Sequence, residues 1–140
     1  MGVDAIVTAA AGVLTGVDGI AQAFTDAPEA LAQFPCVVII AEKGEIVWPR
    51  RPNLRDTTHD LRMLFLVSRG GDLAGADKTL KPWIDQVVAA FDAAVTLGGA
   101  CLAAGVVSYE YGKVEYAGVE YLGITFTLRA REIQGVVYAG

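Results

Sequence analysis

From Ile124 to Arg131 the chain alternates without a break. Ile124, Phe126, Leu128 and Ala130 fall on one side, and Thr125, Thr127, Arg129 and Arg131 on the other. A period of two predicts a strand with one face buried and one face wet. The residues before it, from Val106 onward, are rich in Tyr and Val, which suit a pleated surface. Gly112-Lys113 and Ala117-Gly118 supply turn or bulge points. The stretch from Val106 to Glu132 therefore predicts two or three antiparallel strands that form the main part of a sheet.

Two other segments follow a helical period. Val3, Val7, Ala10, Leu14, Val17, Ala21 and Phe24 recur at gaps of four and three, flanked by Ile6, Val13 and Ile20. This predicts a helix over 3–24 with one broad apolar face, weakened by Gly12, Gly16 and Gly19. The second stripe is Leu80, Trp83, Ile84, Val87, Val88, Phe91 and Val95. It predicts a helix capped near Asp77 or Thr79, with Pro82 in its first turn and Leu97-Gly98-Gly99 at its end.

Between the helices lie shorter apolar runs. Phe34 to Ile40 is continuous and predicts a strand buried on both sides. Glu42 to Glu45 reads as a turn, and Ile46-Val47-Trp48 as a short strand ended by Pro49. Leu61, Met63, Phe65 and Val67 share one side of a strand over 60–68, while Arg62, Leu64 and Leu66 share the other. A strand apolar on both faces is central, or its second face meets a partner subunit. Leu64 and Leu66 are therefore interface candidates. Ser68 to Asp77 reads as a flexible connection; it has no Gly-Lys-Ser/Thr step, so it makes a poor phosphate loop. The elements together predict a single α+β domain over 1–140, with two amphipathic helices on one face of a largely antiparallel sheet of four to six strands.

Composition sharpens this picture. The 140 residues are 54% hydrophobic and 19% charged, and mean hydropathy is +0.44. Such a small chain has more apolar surface than one copy readily buries, which predicts self-association. The net charge of −5 argues against coating nucleic acid. Asp4 and Asp18 interrupt the apolar N-terminal stretch, which fits neither a signal peptide nor a membrane span. The bases are unevenly placed: the first 42 residues hold none, and eight of the eleven lie between Lys43 and Lys81. Arg50, Arg51 and Arg55 stand around Pro49 and Pro52, in backbone expected to be extended and exposed. They are candidate interface residues, since guanidinium forks match carboxylate or phosphate.

Candidate chemistry is sparse. Cys36 and Cys101 sit in apolar runs, where thiols are usually inert, and no CxxC spacing occurs. His59, the only histidine, reads as a surface residue at a strand entrance. No metal site, cofactor or catalytic set is expected. Glu110, Glu115 and Glu120 are expected on the solvent side of a hairpin. Their charge argues against Tyr109, Tyr111, Tyr116 and Tyr121 as a nucleic-acid stacking platform.

The layout resembles the tail terminator, or tail-completion, proteins of long-tailed bacteriophages and phage-like particles. The resemblance spans nearly the whole chain. It rests on the N-terminal helix, the Phe34-Pro35-Cys36-Val37-Val38 strand start, the His59 to Phe65 strand, the helix around Trp83 to Val95, and the Tyr116 to Leu128 pair of strands. It implies a non-enzymatic virion protein, assembled in the host cytoplasm as a homo-oligomeric ring, usually a hexamer. Such a ring caps the tail tube and ends its polymerisation. Its partners are the tail tube protein and the head-tail connector proteins. DNA passes through without sequence-specific binding, and no cofactor or membrane is involved. Two alternatives stand beside it: another head-tail neck protein, of the head-completion or stopper kind, and a small-ligand-binding domain.

Overall fold

A computed structural model describes residues 2–17, 22–24, 36–48, 54–69 and 73–135. Helix α1 (Val3–Thr15) is followed by β1 (Gln22–Phe24), β2 (Cys36–Val47) and β3 (Leu54–Arg69). Helix α2 (Leu73–Asp92) and a 3-10 turn (Leu97–Gly99) lead to β4 (Ala103–Tyr116) and β5 (Val119–Gly135). The sheet order is β1-β2-β3-β5-β4. Every neighbouring pair is antiparallel except β1 with β2. The architecture is α+β, with both helices against one face of the sheet, as the apolar pattern predicts.

Alternation decides which face each residue takes. On the helix side, Val37, Ile39, Leu61, Met63, Phe65, Ile124, Phe126, Leu128 and Ala130 meet Ile6, Val7, Ala10 and Leu14 of α1 and Trp83, Val87 and Phe91 of α2. Three rings centre this core. Phe65 stands edge-on to Trp83 at 5.9 Å and to Phe126 at 4.9 Å between centroids, a geometry that suits aromatic quadrupoles. β3 lies third of five and is apolar on both faces, as its sequence implies. The Cys36 to Ile39 run is likewise buried on both faces.

Several boundaries differ from the sequence reading. α1 stops at Thr15, whose hydroxyl donates to the Gly12 carbonyl at 2.8 Å, and Gly16 follows as its cap. Residues Gln22–Phe24, expected to be helical, instead pair in parallel with Cys36, Val37 and Val38. The ladder to β2 takes over where glycine has weakened the helix. Glu42 to Glu45 is not a turn. β2 runs through it with a bulge between Ala41 and Lys43, because Asp56 to Leu66 of β3 pair with it from Val47 back to Cys36. α2 starts at Leu73, inside the expected loop, so Pro82 sits within the helix rather than in its first turn. Val95 falls beyond the end of α2 and is exposed. Val106 to Glu132 resolves into two strands joined at Ala117 and Gly118, with φ of 52° and 78°. Two successive positive φ values give the hairpin twist that matches the flanking strands. Gly112 stays inside β4. Phe34, Pro35, Pro49 to Asn53, and the residues after Gly135 lie outside the described residues, as does the side chain of Leu80.

Candidate interface surface

The sheet face away from the helices changes character along its length. At one end Cys36, Val38, Leu64, Leu66, Val114, Tyr116 and Tyr121 form a second apolar cluster. At the other end the same face carries charge. Asp60 receives Arg129 Nε at 2.9 Å and Nη2 at 3.3 Å. Asp56 receives Arg131 Nε at 2.9 Å. Lys43 Nζ lies 3.9 Å from Asp60. Hydrogen bonding from Arg129, then its charge and that of Lys43, holds the Asp60 carboxyl below the usual aspartate range. Arg131 does the same for Asp56.

The sign of the pH effect follows. A carboxyl with a lowered folded pKa adds stability above its unfolded pKa, near 3.9. That contribution is lost as pH falls through the folded value. Thermal melts should therefore lose stability below about pH 4. Asp60→Asn should flatten that acid limb and lower the melting temperature at neutral pH by the same contribution, about 1 kcal/mol, because Asp60 is itself buried while its partner Arg129 is half-exposed. An unchanged acid limb in Asp60→Asn would remove this assignment.

Of the residues singled out by sequence, Arg50 and Arg51 lie outside the described residues. Arg55 is half-buried on β3 rather than fully exposed, and its Nε donates to Gln134 Oε1 at 2.6 Å. Leu64 and Leu66 require a correction. They are 3% and 0% exposed within a single copy, because the second cluster already covers them. No partner subunit is needed to cover either side chain. Tyr116 and Tyr121 share that cluster, Tyr111 is half-buried, and Tyr109 is exposed. Glu110, Glu115 and Glu120 are exposed as expected.

His59 is not a surface residue. It shares the helix-side face with Thr57, and its Nε2 lies 2.8 Å from Glu132 Oε1. Sequence reasoning missed Glu132 and Thr57, both buried. The signal was present: Glu132 continues the buried parity of Leu128 and Ala130. Glu132 Oε2 and Thr57 Oγ1 are buried without a protein hydrogen-bond partner. Beside them, Arg55, Cys101, Glu132 and Gln134 line a cleft of about 540 Å³. Burial and then the Glu132 charge raise the Cys101 thiol pKa, and burial pushes Cys36 up to about 11. Both thiols therefore stay protonated near neutral pH and are poor nucleophiles. Among the described residues no cluster of His, Cys, Asp and Glu is arranged to hold a metal ion. No helix among them is long and apolar enough to cross a membrane.

The sheet's two edges carry most of the exposed large apolar side chains among the described residues. Among the described residues, β1 covers β2 only at Cys36, Val37 and Val38. Beyond that point, residues 41–48 are all exposed, and they end in Ile46, Val47 and Trp48, each more than half exposed. At the other edge, among the described residues, β4 pairs only with β5. Leu102, Val107 and Tyr109 are exposed there, and Val95 lies beside it through a 2.7 Å bond from the Ala104 amide to its carbonyl. No protein-family model and no curated protein matches this sequence. The functional reading therefore rests on these edges and on the order of the elements.

Proposed function

We propose that this chain is a structural subunit of a phage or phage-like particle, one that self-assembles into a ring ending the tail tube. The observation that carries the reading is the pair of open sheet edges, each lined with exposed apolar side chains. Monomeric proteins blunt or cover such edges, and exposed apolar surface of this kind marks association. A surface with different halves at its two ends joins head to tail, and a closing rotation then makes a ring. The order of helix, long hairpin, helix and final hairpin agrees with the tail terminator resemblance. In this reading the ring meets tail tube protein on one side and head-tail connector protein on the other, while DNA passes through the centre. Arg50 and Arg51, in the segment joining β2 to β3, are docking candidates for an acidic neighbour or for phosphate. The protein acts in the virion and uses no cofactor.

Light scattering after size exclusion, followed by negative-stain microscopy, tests the proposal. The expected result is a closed ring of about six copies. Binding to the ends of tail tubes separates a terminator from a stopper, which would bind the head connector instead. A particle that stays monomeric at high concentration would overturn the reading.

A further inference from the structure

The two edges are complementary in direction, face and charge. From β2 through β3 and β5 to β4, each strand runs opposite to the one before. A second copy placed beside β4 in the same orientation therefore brings its β2 antiparallel to that strand. The alternation continues unbroken, and the helices of both copies stay on the same side of the joined sheet. Copies in one orientation are what a cyclic head-to-tail assembly requires.

The side chains select one register. Lys43 pairs with Asp60, and Glu110 with Thr125, which puts both Lys43 and Glu110 on the face away from the helices. Gly44 pairs with His59, and Tyr109 with Phe126, so both belong to the helix-side face. Lys43 opposite Glu110 thus places Gly44 opposite Tyr109 and Glu45 opposite Ser108, each pair matched in face. Opposite charges meet, and an exposed aromatic ring covers a glycine. Sliding β2 by two residues in one direction sets Glu45 against Glu110. Sliding it two the other way removes the Lys-Glu contact. A slip of one residue puts every side chain on the wrong face. The next pair, Ile46 with Val107, joins two side chains that are 54% and 50% exposed in the single copy. The bulges after Ala41 and after Val106 bracket this short segment and pin its register. The hydrogen bond from Ala104 to Val95 closes the β4 edge just before the segment begins.

We propose that β2 of one copy adds to β4 of the next as an antiparallel strand, with Lys43 facing Glu110. This rests on the self-assembly reading above and states how the copies are joined. The test uses two chains with one new cysteine each, Lys43→Cys and Glu110→Cys, mixed and oxidised. Within one chain these positions are offset along the strands, since Lys43 is level with Gly105, and are three strand spacings apart sideways, roughly 14 Å. That is about twice the Cα separation a disulfide spans, so any bond between them is intermolecular. Cys36 and Cys101 are buried and do not compete.

The expected product is a mixed covalent dimer, formed far more readily than from Lys43→Cys mixed with Lys113→Cys, whose residues lie on opposite faces. Lys43→Glu should weaken assembly at least tenfold, and Glu110→Lys in the same chain should restore it. Assembly without a bond at Lys43 and Glu110 above the offset control would overturn the strand pairing and leave the ring intact. No assembly at any concentration would overturn both.

Discussion

Phe126→Ala is expected to destabilise the chain by about 3–5 kcal/mol. Phe126 is fully buried on β5, opposite Met63, with Phe65 4.9 Å away and Tyr109 6.3 Å away between centroids. Truncation removes the ring around which strands β3, β4 and β5 pack and leaves a void. The surrounding backbone belongs to central strands held on both sides, so it has little freedom to collapse inward. Denaturant unfolding at a concentration where self-association is absent should report the loss directly. In a thermal melt it corresponds to a fall of roughly 10 °C or more for a chain of this size. Thr127→Ala, one residue along on the opposite face, serves as the control and should change stability by less than about 1 kcal/mol. Equal effects at the two positions would mean that the assignment of faces is wrong.

Gly123→Ala is expected to be at least as damaging, for a different reason. Gly123 pairs with Leu66, next to the β3 bulge at Val67, and the two backbones approach closely there. A Cβ at Gly123 would stand 1.9 Å from the Phe65 carbonyl oxygen and 3.0 Å from its carbon. These are backbone atoms of the central strand, so no rotamer change relieves the overlap. The substitution must push β3 and β5 apart beside Phe65, in the middle of the core. Overpacking a well-filled site costs about 1–3 kcal/mol even when side chains can adjust. Here the backbone itself must move, so the expected loss is roughly 3 kcal/mol or more. Soluble yield and amide exchange along β3 and β5 would show it. A stable Gly123→Ala protein with unchanged exchange would show that the strands are less close than described.

The sequence was most legible where one period dominated. The alternation from Ile124 to Ala130, the continuous apolar run at Cys36 to Ile39 and the stripe of Trp83, Val87 and Phe91 all reach the core as read. Errors arose where a local signal competed with a ladder. Glu42-Lys43-Gly44-Glu45 has turn composition, yet long-range pairing with β3 keeps it extended. Gln22–Phe24 continues a helical stripe, yet the free edge of β2 draws it into the sheet. Leu64 and Leu66 looked uncovered because pattern alone cannot show that Tyr116 and Tyr121, fifty or more residues later, join them. Neither the Lys43–Glu110 match nor the His59–Glu132 contact is visible locally, since each depends on which strands become neighbours. The sheet order decides that, and β5 lying between β3 and β4 leaves no sign in any short window.

That same insertion has a kinetic consequence. β3 is synthesised well before β5, the second of its two partners, and Met63 and Phe65 wait beside an unfilled groove while α2 and β4 are made. Pairing across such sequence distance is slow. A nascent chain with an open strand invites intermolecular mispairing in the interval. Growth at low temperature, or with extra chaperone, should therefore raise the soluble yield more than any substitution on the finished surface.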